Sequence, residues 1–571
     1  LLISKQSFDI VIIGSGGAGL AAALSAHDAG AKNIAVISKV VPSSSHTVAA
    51  KGGINAALGN VESDDWKWHA YDTLKGADYL ADNDAVELLC REAAAAIIDL
   101  EKIGVVFSRD VDGKISQRAY GGQTSDFGRG SVAYRACYSK DKTGHTILHS
   151  LHQQALKKGI KFFSEFFVTD LLIESQNRCH GCLALDLNSG ELVIFSASTV
   201  ILATGGYSQI YQNTTSSLIC TGDGSALVFK EGLPLQDMEF VQFHPTGIDG
   251  CGFLITEAAR GEGGYLVNSS GDRFMKNYAP KMMELASRDV ISQAMATEIH
   301  AGRKVFLDLR HLSPNVLNQK LPGVVELVKN FARLDVQKDL IPVAPSAHYT
   351  MGGIPTNLDC EVIDGLMAVG ETACVSVHGA NRLGCNSLLD LIVFGKISGK
   401  KATQKIAPKN DKIVSEIASE KIEKIKNLFG QNSSENLSEM KKALQKNNEE
   451  NLGVFRDENL LKQGLERSKD LFEKLKSYKI RNKSLVWNEE LVAYFELENL
   501  LLNSLATNFA ALNRLESRGA HYRSDFRSRD DAKFHAHSLV KIGNDLEFSL
   551  KPVRNFSEIP ELNLELKTRS Y

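Results

Sequence analysis

Hydrophobic positions fall along this chain in two textures. In the first part they form short unbroken runs that stop at glycine. Phe8-Asp9-Ile10-Val11-Ile12-Ile13 and Ile34 to Ile37 predict buried strands, and the alanine-rich stretch between them predicts a helix to about Ala29. Ser198-Thr199-Val200-Ile201-Leu202 and Gly365-Leu366-Met367-Ala368-Val369 repeat the pattern, each running into a turn of small residues. Arg178 to Phe195 reads as a β-hairpin. From about Asp411 the texture becomes helical and rich in lysine and glutamate, and Leu461, Leu465, Phe472 and Leu475 fall on one helical face. Residues 240–345 carry helices and polar motifs of their own, as expected of an insertion that caps the crevice of an open α/β sheet.

The glycines that end the first run change this from a fold pattern into a binding pattern. Gly14-Ser15-Gly16-Gly17-Ala18-Gly19 is G-x-G-x-x-G between a strand and a helix. The first glycine permits the tight turn, the second lets backbone approach a pyrophosphate, and the third lets helix pack on strand. The second strand ends in Ser38-Lys39, where such folds often place an acid for the ribose hydroxyls. That lowers the case for NAD and leaves ribose recognition to Ser38, Lys39 or the next loop. No second fingerprint follows a mid-chain strand. The returns at Ala203-Thr204-Gly205-Gly206 and Gly370-Glu371 are similar to the discontinuous FAD domain of flavoproteins.

The chain has 571 residues, 43% hydrophobic and 23% charged, enough for about three or four domains. A net charge of -3 gives no reason to expect nucleic acid or an anionic membrane as the main partner, and no apolar run is long enough to span a bilayer. Nine scattered cysteines point to reduced thiols and a reducing compartment. Cys179 and Cys182 form one CxxC pair, without the second pair that a metal site would need. The chain starts at Leu1 rather than methionine, which leaves a removed leader open.

Candidate chemistry concentrates in Ser43-Ser44-Ser45-His46-Thr47-Val48-Ala49-Ala50-Lys51-Gly52-Gly53, a loop of small hydroxylated residues closed by two glycines. On its own His46 could be an ordinary loop residue, a base or a covalent tether. Gln242-Phe243-His244-Pro245-Thr246-Gly247 and Thr256-Glu257-Ala258-Ala259-Arg260-Gly261-Glu262 place polar residues in loops of the insertion, and Arg288 falls at a helix start. Ser517 to His521 and Arg529-Asp530-Asp531 read as polar turns facing either a partner or solvent.

These motifs, with Gly121-Gly122-Gln123, Thr221-Gly222-Asp223-Gly224, Ser287-Arg288-Asp289, Ala347-His348-Tyr349 and His378-Gly379-Ala380-Asn381-Arg382-Leu383-Gly384, stand in one order from Phe8 to Tyr571. In that order the chain resembles the flavoprotein subunit of succinate dehydrogenase and fumarate reductase. The resemblance implies FAD bound covalently through His46. It implies that Gly14, Gly16, Gly19, Ser38, Lys39, Ser45, Thr47, Gly53, Ala203, Asp223, Glu371, Arg382, Ser387 and Leu388 line the cofactor. A C4 dicarboxylate would be held by Arg382 with His348 and by His244 with Thr256 and Glu257, with Gln123 and Phe127 close by. Arg288 matches the proton-transfer group, with Glu257 and Arg260 as relay partners, and no metal is assigned.

The fold class implied is α/β. A discontinuous Rossmann-like FAD-binding domain (1–239 and 346–406) holds an inserted α+β capping domain (240–345), followed by a helical domain (407–527) and a small C-terminal domain (528–571). The chain lacks the cysteine spacing for iron–sulfur clusters, and the resemblance implies an iron–sulfur partner subunit plus a membrane anchor that exchanges electrons with quinone. Its expected place is the cytoplasmic face of the inner membrane, held through those partners, with the periplasmic face left open by the start at Leu1. Two other readings are an L-aspartate oxidase-like soluble flavoenzyme, opposed by His46 and the C-terminal match, and a non-catalytic electron-relay subunit, opposed by the retained histidines and arginines. Tyr349-Thr350-Met351 resembles fumarate reductases and Gly121 to Phe127 succinate dehydrogenases, so direction stays open. Cys385 departs from the small residue usual in its motif.

Overall fold

The computed structural model describes residues 2–250, 252–430 and 435–569; Gly430 to Glu435, which read in the sequence as a loop between helices, fall largely outside them. An eight-stranded sheet organises the first part. Its order is Glu361–Ile363, Leu366–Ala368, Leu192–Leu202, Ile3–Ile13, Ile34–Ser38 and Lys161–Ser164, with the hairpin Phe166–Glu174 and Arg178–Asp186 attached to Leu192–Leu202. The central pairings are parallel, Ile10 opposite Ile34 on one side and Thr199 on the other. Strand Leu192–Leu202 is divided in use: Leu192 to Ser196 pair antiparallel with the hairpin, and Val200 to Leu202 pair parallel with Leu366–Ala368.

The unbroken apolar runs reflect burial on both faces. Ile10 and Ile12 belong to one core cluster, Val11 and Ile13 to another, as the period-two alternation of a strand requires. On the face of Ile10, helix Gly17–Asp28 packs against helix Asn386–Thr403. The crossing is close enough that a Cβ at Gly399 would sit 2.1 Å from the Ala22 carbonyl oxygen. This contact fixes the start of the second helix, which carries Ser387 and Leu388, beside the dinucleotide turn.

The insertion forms a four-stranded antiparallel sheet in the order Val241–Ile248, Ile341–Thr350, Val305–Asp308, Tyr265–Asn268, with its own apolar cluster from Ile248 to Val343. Helices Asp411–Lys426, Leu437–Asn451, Glu458–Lys476 and Glu489–Asn513 follow. Leu461, Leu465 and Leu475 are buried as their spacing predicts, with Phe472 packed against the same cluster. Helix Glu489–Asn513 docks on the FAD-binding part through Asn503, whose amide donates to the Gly222 carbonyl at 3.0 Å. A hairpin, Ala536–Ile542 and Leu546–Pro552, adds to Leu235–Gln236.

One expectation is overturned in part. The turn after Ser517 is turned inward, whereas Arg529, Asp530 and Asp531 stay partly exposed. Arg518 and His521 are buried, and Arg518 pairs with Glu516 and Asp531. These partners supply the charge that the local sequence made look solvated. Cys179 and Cys182 are buried free thiols in the sheet.

Candidate active site

One cavity of about 1160 Å³ runs between the parallel sheet and the insertion, larger than most small-molecule sites. At one end lie the glycine turn, Ser38, Lys39, Ala203 and Asp223; at the other, His244, Thr256, Glu257, Arg288, His348 and Arg382. Gly14 has φ +114°, and a Cβ there would sit 2.1 Å from the Ala203 carbonyl oxygen, so two chain returns meet at a residue that must be glycine. The hydroxyls of Ser15 and Ser45 are buried on this wall without a partner. Buried hydroxyls left this way fit a ligand rich in acceptors, and with the bare backbone at Gly14 and Gly16 they fit FAD.

Lys39 lines the cavity and is also held by carboxylates. Its ammonium pairs with Asp223 at 3.0 Å and Glu496 at 2.7 Å. Burial opposes its charge, but the two carboxylates outweigh burial and hold its pKa above the ordinary value. It therefore clamps the helical region to the cofactor end. Glu371 accepts from the Thr350 N–H at 3.0 Å, and burial raises its carboxyl to about 7.

The His46 loop is a pair of short 3₁₀ turns, Pro42–Ser44 and His46–Ala49. Thr47 Oγ1 accepts from the Gly17 N–H at 3.1 Å, tying the loop to the first helix of the fingerprint. His46 Nδ1 accepts from the Ser217 N–H at 3.2 Å. The imidazole proton is thereby placed on Nε2 in the neutral ring. Burial pushes the pKa down to about 4, so the ring is neutral at physiological pH.

At the other end two arginines share one acceptor. Gln242 Oε1 receives Arg288 Nη1 at 2.9 Å and Arg382 Nη2 at 3.1 Å. Arg382 also donates to Ser387 Oγ at 3.1 Å, stacks its guanidinium 4.2 Å over the Tyr349 ring, and keeps Nε without a partner. Burial first, then Arg288, lowers its pKa to about 10. Arg288 Nε donates to Glu257 Oε2 at 2.8 Å, and Glu257 Oε1 accepts from the Gly121 N–H at 3.0 Å. Burial would raise the Glu257 pKa, but Arg288 and Arg260 outweigh it and keep it ionised. His244 and His348 meet edge to face at 4.9 Å, and His348 Nδ1 lies 2.7 Å from Thr215 Oγ1. Burial, then the nearby arginines, hold both imidazoles well below their ordinary pKa, hence neutral.

Four predicted residues do not line the cavity. Gly19 lies inside its helix, where a Cβ would sit 1.9 Å from the Gly14 carbonyl oxygen, so close packing requires glycine there. Arg260 is buried behind Glu257, 3.6 Å from Oε2, and donates to the Glu284 carbonyl. Gln123 turns to Asn55 Oδ1 at 3.1 Å and the Gly384 carbonyl at 3.3 Å. Phe127 sits in a left-handed turn (φ 52°) with its ring against Tyr71. The aromatic ring on the cavity wall is instead Tyr120, whose hydroxyl lies 3.5 Å from Thr256 Oγ1. Alternation on strand Gln117–Thr124 could have found it, since Tyr120 and Gln123 have opposite parity. Gln242 was read only as part of a motif, and its bridging role depends on long-range contacts.

Residues 9–388 match the family model described as FAD binding domain, and residues 441–571 match Fumarate reductase flavoprotein C-term. The chain is 50% identical over 576 residues to a succinate dehydrogenase flavoprotein subunit of Rickettsia bellii, covering 96% of each chain. It is 49% identical over 575 residues to the mitochondrial succinate dehydrogenase (ubiquinone) flavoprotein subunit of Oryza sativa subsp. japonica, covering 96% of this chain and 91% of that one. Among solved structures, a variant of E. coli quinol fumarate reductase superposes with a TM-score of 0.93 at 37% identity over 98% of each chain.

Proposed function

This chain belongs to the succinate dehydrogenase and fumarate reductase flavoprotein family, and from that premise we propose how its residues interconvert succinate and fumarate. FAD, when bound, supplies the centre that takes the hydride from succinate or returns it to fumarate. The protein residues hold the cofactor, the two carboxylates and the proton. His46 would carry the covalent link: with Nδ1 accepting from the Ser217 N–H, Nε2 is the nitrogen that would be joined to the flavin, giving up its proton. Gly14, Gly16, Ser15, Ser45 and Ala203 form the cofactor cradle.

Arg382, with an unpartnered Nε and no carboxylate pair among the described residues, receives one substrate carboxylate together with His348. His244 and Thr256 receive the other as neutral donors. Binding at both ends supports twisting of a carboxylate out of plane, which polarises the double bond of fumarate. Arg288 gives the proton to the adjacent carbon during fumarate reduction and takes it during succinate oxidation. Glu257, held ionised at 2.8 Å, exchanges that proton with Arg288. The observation that supports the assignment is Gln242 Oε1, which accepts from both Arg288 and Arg382 and so holds the two guanidiniums on one wall.

Among the described residues no group of three or more potential ligands could hold a metal ion, and no helix is long and apolar enough to cross a membrane. The likeness to succinate dehydrogenase and fumarate reductase subunits supports electron exchange with quinone through an iron–sulfur subunit and a membrane anchor, with this chain held peripherally through them, at the cytoplasmic face or, if a leader is removed, the periplasmic one. The test is turnover of the intact complex in both directions with quinones of high and low potential, alongside acid precipitation. Yellow flavin in the acid pellet of the parent and in the supernatant of His46→Ala is expected. Flavin released from the matured parent would refute the tether, and near-normal turnover in Arg288→Lys would remove Arg288 from the proton path.

A further inference from the structure

Asp289 follows Arg288 in the first turn of helix Arg288–His300, and its side chain is 1% exposed. Its carboxylate accepts from the Ser287 hydroxyl and from the Arg569 guanidinium. The same Nη2 of Arg569 lies 3.2 Å from Asp78 Oδ2, in the FAD-binding part. Asp78 occupies a left-handed position (φ 52°) just past helix Trp66–Gly76. There the Gly519 N–H and Arg529 Nη1 also donate to it, each at 2.9 Å. Asp78 thus has a second cation, whereas Asp289 is ion-paired with Arg569 alone among the described residues.

We propose that Arg569 is a positioning residue for the dicarboxylate reaction: by tying Asp289 to Asp78 it fixes the helix turn that carries Arg288 against the FAD-binding part. The proposal rests on the assignment of Arg288 as the proton-transfer group. Two features of the geometry support it. The guanidinium side chain is 10% exposed, so the bridge is shielded from the solvent that weakens surface ion pairs. Removing it would leave a buried carboxylate next to Arg288 in the chain, facing Asp78 as a like charge. Arg288 would then lose its alignment on Glu257 and Gln242, which a proton transfer requires to within a fraction of an ångström. Carboxylate binding by Arg382 and the histidines stands on other elements and is spared.

The experiment compares parent, Arg569→Ala and Arg569→Lys in the flavin-loaded complex. It reads kcat, KM, the Kd for malonate, a dicarboxylate without the reacting CH2–CH2 bond, and amide exchange in residues 288–300. Arg569→Ala should lower kcat tenfold or more, change malonate Kd less than threefold and speed exchange at the start of that helix. Arg569→Lys, which keeps the charge, should recover at least half of the lost kcat on a logarithmic scale. Turnover of Arg569→Ala within twofold of the parent would overturn the proposal. So would a loss of malonate binding or flavin content in proportion to kcat, which marks a merely structural role. Arg288→Lys is run beside them: if it keeps parental turnover, the assignment of Arg288 fails, and unchanged exchange in Arg569→Ala would show separately that the bridge does not hold the helix.

Discussion

Glu257 Oε2 lies 2.8 Å from Arg288 Nε, joining two side chains 31 residues apart in the sequence. Arginine is a poor proton donor in water, so an acid role needs a partner that can return its proton. Glu257 is the carboxylate in bonding range of Arg288. Glu257→Gln keeps an oxygen for the Gly121 N–H and a similar shape but cannot carry the proton. We expect turnover to fall about a hundredfold or more, the range of general acid–base contributions, with malonate affinity changed only a few-fold. Steady-state kinetics with a malonate titration checks this; an unaltered kcat would leave Glu257 a structural counter-ion.

Arg382 is a fork held on three sides, by Ser387, Gln242 and the face of Tyr349. Lysine offers one point charge and cannot reproduce that plane. A charge-assisted hydrogen bond contributes about 1.5–3 kcal/mol, so Arg382→Lys should weaken dicarboxylate binding roughly tenfold to a hundredfold. The loss should appear in malonate Kd as well as KM. A variant that binds malonate as the parent does would place the carboxylate elsewhere.

Tyr120 and Phe127 compete for the aromatic position at the substrate end. Tyr120 is on the cavity wall and Phe127 is packed on Tyr71 outside it. Tyr120→Ala should cut kcat/KM at least tenfold by opening the wall beside Thr256. Phe127→Leu, an apolar exchange at an outer turn, should stay within about twofold. Kinetics showing the reverse order would restore Phe127 to the site.

What the sequence made legible follows from the range of the interactions. The first strand, glycine turn and helix are local patterns, and they stand where the apolar runs and glycines put them, from Ile10 through Asp28. His46, Arg288 and Arg382 were found through motifs, and all three face one cavity. The misplacements come from geometry that local sequence does not encode. Gln123 and Tyr120 differ by strand parity, and a shift in pairing register between Ala119 and Thr124 obscures that parity. The tie from Lys39, on the cavity wall, to Glu496 in a helix more than four hundred residues later is likewise invisible in local sequence. Arg518 reads as facing a partner or solvent because Asp531 and the Asp78 carbonyl reach it only in the folded chain.

His537 gives a pH dependence whose sign can be worked out. Its ring lies between Asp237 Oδ2 at 2.6 Å and Asp82 Oδ1 at 3.2 Å, fully buried. Burial alone would lower its pKa; the charge of Asp237, then the hydrogen bonds to both aspartates, outweigh burial and raise it to about 9. The folded pKa exceeds the unfolded value near 6.5. The protonated ring therefore stabilises the fold fully below about pH 6.5, and this contribution is lost as pH rises through 9. The shift corresponds to on the order of 3 kcal/mol. His537→Asn leaves Asp237 without that cation at every pH and so is destabilised throughout. Its deficit relative to the parent should nevertheless be largest near pH 6 and shrink as pH approaches 9, because only the parent has the proton to lose. Thermal unfolding midpoints of both proteins at pH 6, 7.5 and 9 check this. A deficit that stays constant over that window would mean that His537 is held neutral between its two carboxylates.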